Sequence, residues 1–198
     1  MKKIVSLLLC LVFCFSFAFA ETVQTPVEIV TLDFGDFTMD LKATDLIQQG
    51  EKIDNGTLAI IHPDYSEEDT FHNNIAIAWM KTDISAAIKL LGAESYGQAV
   101  LESAQNSMAA QGMIVTDAQL LNALLEDDEL LIMYTMTVDY SGMGFDLVVT
   151  LYALQAYAMD AEMGTYLFNL TTDSVEDLLT LTTYIDSVTF KNETPAAQ

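Results

Sequence analysis

The chain has 198 residues, of which 29 are acidic and 7 basic, so its formal net charge is −22 at neutral pH. A surface of this sign repels the phosphates of nucleic acids and anionic lipids. The sequence also contains no arginine, and therefore no guanidinium group for bidentate phosphate binding. Nucleic-acid binding is excluded on these grounds, and the acidity is typical of a protein kept soluble by its charge.

The first 20 residues have the pattern of a bacterial signal peptide. Two lysines precede an apolar stretch, Ile4 to Phe17, and Ala18-Phe19-Ala20 matches the small residues that signal peptidase accepts. The apolar stretch is shorter than the roughly 20 residues that a membrane span needs. We therefore expect a secreted or cell-surface protein with no membrane span after cleavage at Glu21.

Both cysteines of the chain, Cys10 and Cys14, lie within this peptide. A cysteine that becomes lipid-modified follows a small residue, but here the preceding residues are Leu9 and Phe13. No lipid anchor is therefore expected. The mature chain then lacks cysteine, which excludes disulfides, thiolate nucleophiles and zinc-thiolate sites.

The remaining sequence predicts one domain. Residues 21–27 are interpreted as a flexible lead-in, residues 28–190 as a single α+β domain and residues 191–198 as a disordered tail. No linker rich in Pro, Gly or Ser and no internal repeat divides the predicted domain.

The first half of the domain predicts three short strands followed by two helices. Strands are predicted at Phe37 to Leu41, Thr57 to His62 and Asn74 to Met80. Asp83 is predicted to cap a short helix that Gly92 ends, and Ser95-x-x-Gln98 resembles a capping box that opens a longer helix to Gln111.

The second half predicts a meander. Leu130 to Tyr140 alternates apolar and more polar residues with a period of two, the strongest strand signal in the chain. Phe145 to Tyr157 and Thr165 to Leu170 are predicted to follow as strands. Gln119 to Leu125 suits a strand or a helix, and we favour a strand that turns at Glu126 to Glu129. A helix from Asp173-x-x-Glu176 to about Tyr184 and a short strand, Ser187 to Phe190, complete the order.

This order of elements resembles the PsbP-like fold, an α/β/α sandwich in which an antiparallel sheet is flanked by helices. The resemblance is most specific over Gly164-Thr-Tyr-Leu-Phe-Asn-Leu-Thr171, the helix from Ser174 to Tyr184 and the segment Ile185 to Phe190. It covers about Phe37 to Phe190. The resemblance implies an architecture and no activity, because proteins of this fold have different roles.

No motif in the sequence predicts catalysis or nucleotide binding. A hydroxyl nucleophile would need His62 or His72 as its base, and neither histidine lies near a Gly-x-Ser-x-Gly motif. Glycine-rich phosphate loops and the His-Glu-x-x-His motif are also absent. We therefore predict no catalytic residue, and no cofactor apart from a divalent cation at the loop described next.

One loop gathers both histidines and several carboxylates between two predicted strands. If those strands form a hairpin, the imidazoles approach each other at its end, a ligand set that suits zinc, copper or nickel better than calcium. Binding is then expected to weaken on acidification, because protonated imidazole cannot coordinate a metal. The alternative is a solvated acidic loop. The predicted metal ligands are His62, Asp64, Glu67, Glu68, Asp69 and His72.

Two other features allow either a purely structural or a functional interpretation. Glu126 to Glu129 is an ordinary charged turn or, less simply, a calcium site without the EF-hand pattern. Tyr152, Tyr157, Met159 and Met163 belong to the core or line a pocket for a small apolar ligand. We expect an exported, non-enzymatic binding or accessory domain with an unknown protein or small-molecule partner. Cation binding and apolar-ligand binding are the alternatives.

The net charge generates a prediction about stability. After signal cleavage 5 lysines face 29 acids, a net charge of 5 − 29 = −24. At physiological ionic strength, salt largely screens the repulsion between exposed carboxylates that lie more than about 8 Å apart. The melting temperature at neutral pH should therefore rise between low and moderate sodium chloride in calorimetric scans. A flat or falling melting temperature would contradict the expectation that unpaired acids oppose the compact state.

Overall fold

The computed structural model describes residues 28–68 and 71–191. The predicted signal peptide, the lead-in and residues 192–198 of the predicted tail lie outside the described residues. Within them, no helix is both long and apolar enough to cross a membrane.

The described residues form two antiparallel sheets. The strands are β1 (Ile29–Asp33), β2 (Phe37–Lys42), β3 (Leu46–Gln49), β4 (Gly56–His62), β5 (Asn74–Met80), β6 (Ile114–Glu126), β7 (Glu129–Asp139), β8 (Val148–Asp160), β9 (Gly164–Thr172) and β10 (Thr189–Phe190). One sheet has seven strands in the order β3-β4-β5-β9-β8-β7-β6, and the other has three in the order β1-β2-β10. The helices are α1 (Ser85–Leu91), α2 (Ala93–Ala110) and α3 (Val175–Asp186), with a short 3-10 turn at Tyr140–Met143.

The period of two along the strands separates two hydrophobic cores. In β7, Leu131 belongs to the core shared with the three-stranded sheet and α3, whereas its neighbour Ile132 belongs to the core beneath α1 and α2. Successive side chains of a strand point to opposite faces, so one sheet supplies both cores. The predicted arrangement, an antiparallel sheet with helices on both sides, is confirmed, and the three-stranded sheet adds to the α3 side.

The predicted strands and helices are present, with different ends. Gln119 to Leu125 is part of the long strand β6, as favoured. The strand predicted from Phe145 begins at Val148, because Gly144 ends the 3-10 turn in the left-handed region and leaves Phe145 exposed. Strands β1 and β3 were not predicted, because their side chains are mostly exposed and lack apolar alternation.

The predicted helix caps need correction. Helix α2 begins at Ala93 and not at Ser95, because Gly92 alone joins the two helices. The Gly92 N–H donates to Ile88 and its carbonyl accepts from Tyr96, so the capping box at Ser95 does not form. Helix α3 is capped by Ser174, whose hydroxyl accepts from the Asp177 N–H at 3.2 Å, and not by Asp173.

Gly164 allows β9 to begin beside the end of β5. Its φ of 86° lies in the left-handed region that favours glycine. A Cβ atom there would lie 2.9 Å from the Lys81 carbonyl oxygen and would clash more severely with the Met80 carbonyl oxygen. Both obstacles are backbone atoms, so the strand ends would have to move to make room.

Gly164→Ala should therefore destabilise the protein by about 3 kcal/mol, combining the conformational cost with the clash. Gly144→Ala is the matched control, since Gly144 has a φ of 88° and no atom within 4 Å of an added Cβ. The control should cost about 1 kcal/mol. Urea unfolding of both variants tests this expectation, and equal losses would contradict it.

Candidate functional site

The hairpin of β4 and β5 brings the two histidines together. The strands pair antiparallel, with Ile61 opposite Ile75, so His62 at the end of β4 lies near His72, which precedes β5. The imidazole ring centroids are 6.3 Å apart with an interplanar angle of 79°. The sequence-based prediction that the histidines approach each other at the end of a hairpin is therefore confirmed.

Tyr65 completes a cluster of three rings. Its ring centroid lies 4.6 Å from that of His72 and 6.0 Å from that of His62. Tyr65 is 40% exposed and forms the outer side of this cluster, whereas both histidines are half-buried. The two imidazoles are thus held in fixed proximity beneath a tyrosine that faces solvent.

A pocket of about 180 Å³ lies between this cluster and α3. The loop contributes both imidazoles, and the helix contributes Asp177, Thr180 and Leu181. Asp177 was missed by the sequence analysis, since it lies 105 residues beyond His72 in the chain. No local spacing could have revealed it, because packing of α3 against the sheet places it there.

Three residues that line this pocket each have a buried polar atom with no hydrogen-bond partner within the described part of the chain. These atoms are Nδ1 of His62, Nδ1 of His72 and Oδ1 of the adjacent Asn73. A buried donor or acceptor left without a partner costs about 1–3 kcal/mol. A clustering of such atoms beside a cavity marks a place where a bound group would supply the missing interactions.

Asp64 lines the same pocket, but its carboxylate is already engaged. One oxygen forms an ion pair with Lys42, and the other accepts from the Thr44 hydroxyl at 3.4 Å. The Asp64 N–H donates to Asp45 at 3.1 Å, which ties the loop to the turn between β2 and β3. The same Asp45 carboxylate also lies near Tyr184 of α3, and burial together with this charge raises the pKa of the Tyr184 hydroxyl above its usual range.

Two other predicted ligands, Glu67 and Glu68, do not form a metal-binding group with the imidazoles. Glu67 and Glu68 are exposed, and Asp69 lies outside the described residues. Across residues 28–68 and 71–191, no group of three or more His, Cys, Asp or Glu side chains is arranged to hold a metal ion. Of the five predicted ligands that the structure describes, it brings together the two histidines, with Asp64 nearby but paired with Lys42.

The second acidic turn joins β6 to β7 as a tight hairpin. Asp127 adopts a left-handed conformation with a φ of 53°, as the turn requires. Lys89 of α1 donates to Asp128 at 3.1 Å, so a lysine already neutralises part of this turn. The calcium site considered there remains a prediction.

The four side chains considered for an apolar pocket do not form one group. Tyr157 and Met159 are buried in the core beneath α1 and α2, whereas Tyr152 and Met163 pack against the other core. Tyr152 and Tyr157 occupy positions of opposite parity on β8 and therefore point to opposite faces of the sheet. This grouping was wrong, and core packing accounts for these residues.

Comparison with known proteins gives similarity in architecture only. No protein-family model and no curated protein sequence matches the chain. A cyanobacterial PsbP structure from Synechocystis sp. PCC 6803 is 15% identical, with a TM-score of 0.49, over 87% of this chain and 98% of its own. The Ran-binding protein Mog1p of Saccharomyces cerevisiae is 10% identical, with a TM-score of 0.48, over 84% and 96%. No role is carried over from either protein.

Proposed function

We propose that this protein is an exported, non-enzymatic binding domain and that the pocket between the two histidines and α3 is its binding site. The observation that supports this proposal is the clustering of unpartnered buried polar atoms, the two Nδ1 atoms and the Asn73 oxygen, beside one cavity. A domain whose task were purely structural would gain stability by satisfying these atoms internally.

The size and chemistry of the pocket limit the ligand. At about 180 Å³ the pocket is smaller than the roughly 300–1,000 Å³ of sites that enclose drug-sized molecules. Its polar groups are imidazoles, an amide, hydroxyls and carboxylates, which favour an ion or a small polar group over an apolar molecule. A neutral imidazole offers one donor and one acceptor, so the pair can orient a ligand that carries either.

A divalent transition-metal ion is the second candidate, favoured by the proximity of the two imidazoles. Imidazole nitrogen is a preferred ligand of zinc, copper and nickel. With Asp64 paired to Lys42, the histidines would supply two protein ligands, and Asp177 is the carboxylate on the opposite wall. Solvent or a partner's side chain would fill the remaining coordination positions.

Calorimetric titration of the mature protein with zinc tests the metal candidate. We expect saturable binding that weakens on acidification and that falls by about tenfold or more in a His62→Ala/His72→Ala variant. The matched control is Glu67→Gln/Glu68→Gln, which removes two exposed charges from the same loop and leaves the imidazoles in place. The control should retain most of the affinity.

The outcomes separate the pocket from general electrostatic attraction. Equal weak heats in the unaltered chain and the histidine variant would reject metal binding at this site. A larger loss in the glutamine control than in the histidine variant would assign the heats to the acidic loop surface. The small polar ligand can be sought by mass spectrometry of molecules that co-purify with the protein from its host. If the same molecules co-purify with the His62→Ala/His72→Ala variant, the pocket is not their binding site.

A further inference from the structure

A second constellation lies away from the imidazole pocket, where Lys52 is held among two aromatic rings and a carboxylate. The Lys52 Nζ lies 4.4 Å from the centroid of the Trp79 ring and 5.3 Å from that of Tyr166. The same ammonium forms an ion pair with Asp36, whose carboxylate also accepts from the Tyr166 hydroxyl. We call Trp79, Tyr166 and Asp36 the aromatic cage.

The walls of the aromatic cage are fixed by the framework. Trp79 on β5 lies directly opposite Tyr166 on β9, so both rings project from the same face of the sheet. The Trp79 indole N–H donates to the Met163 carbonyl at 2.8 Å, and Phe37 packs edge-on against Tyr166 with a centroid distance of 5.3 Å. The rings are therefore positioned independently of the lysine that lies between them.

The lysine comes from a less embedded part of the chain. Residues 50–55 join β3 to β4 without helix or strand. All six residues are exposed, and the Lys52 side chain is 35% exposed. Hydrogen bonds hold this segment at its two ends, from Gly50 N–H to Leu58 and from Lys81 N–H to Asp54. Lys52 lies between these anchors, so its side chain can leave the cage without breaking strand pairing.

The chemistry of the aromatic cage suits an organic cation. Aromatic faces attract a weakly hydrated ammonium through the ring quadrupole, and a carboxylate adds direct charge attraction. Hydrogen bonds from Lys52 and Tyr166 lower the pKa of the Asp36 carboxyl, so it is charged at neutral pH. The net charge of the protein further raises the local concentration of cations.

We propose that Trp79, Tyr166 and Asp36 form a binding site for an alkylammonium group, and that Lys52 fills this site as an internal competitor. The lysine demonstrates that the geometry accepts an ammonium. An external amine binds by displacing Lys52, which then moves into solvent while residues 50–55 stay attached at both ends. This site is separate from the imidazole pocket and does not depend on the function proposed for it.

Trp79 is the single tryptophan of the chain, so its fluorescence reports on the aromatic cage. Tetramethylammonium chloride is titrated against the mature protein, with sodium chloride at equal ionic strength as the reference. In a Lys52→Ala variant we expect a saturable emission change at concentrations at least about tenfold lower than in the unaltered chain. Asp36→Asn in the Lys52→Ala background should weaken that response.

Lys89→Ala is the matched control, because it removes the same charge and also breaks an ion pair, the one with Asp128. It should respond like the unaltered chain. Identical titrations for Lys52→Ala and Lys89→Ala, with circular dichroism showing both folded, would overturn the proposal.

Proton NMR of the unaltered chain provides a test that needs no folded variant. Ring currents of Trp79 and Tyr166 should shift the Lys52 ε-methylene protons upfield, and saturating tetramethylammonium should return them toward the values of an exposed lysine. Lys52 shifts that stay unchanged throughout the titration would overturn the displacement. A trilysine peptide is the second probe, and stronger competition by it than by tetramethylammonium would assign the site to a lysine side chain of a partner protein.

Discussion

The structure depends on the placement of β9, which is hydrogen-bonded along both edges. It pairs with β5 on one side and with β8 on the other, so it joins the β3-β4-β5 half of the sheet to the β6-β7-β8 meander. These halves are separated in sequence by α1 and α2 and would otherwise share no ladder. Phe168, within β9, is fully buried in the core shared with the three-stranded sheet. The tight approach at Gly164 is the local consequence of fitting this strand between its neighbours.

Because the chain has only 7 basic residues against 29 acidic ones, each lysine has a large effect on the polar groups around it. Within residues 28–68 and 71–191, four lysines form ion pairs that join separate elements or loops, among them Lys42 to Asp64 and Lys191 to Asp33. Exposed ion pairs contribute little stability individually, about 0–1 kcal/mol. Their more specific effect is positional, because Lys42 withdraws the Asp64 carboxylate from the imidazoles and Lys52 covers two aromatic rings. The few positive charges thereby determine which polar groups near each site remain available.

The imidazole pocket and the aromatic cage arise in the same way, from side chains contributed by elements distant in sequence. The pocket combines the β4–β5 loop with α3, and the cage combines the segment before β2 with neighbouring positions on β5 and β9. They differ in how their polar groups are satisfied. The imidazole Nδ1 atoms lack partners within the described residues, whereas one oxygen of the Asp36 carboxylate binds both the Lys52 ammonium and the Tyr166 hydroxyl. Under the two proposals, the pocket would take up a ligand directly, whereas the cage would have to exchange Lys52 for one.

The sequence by itself determined features that depend on neighbouring residues. Alternation identified β7, and the spacing of His62 and His72 around a predicted hairpin was enough to place the two rings together. Strands β1 and β3 lack such alternation and could not be predicted from the sequence, because hydrogen bonding to a partner strand, and not burial, maintains them. Asp177 beside the imidazoles and Tyr166 opposite Trp79 were decided by the tertiary structure alone. Periodicity records which face of an element is buried, but it carries no information about which distant element will cover that face.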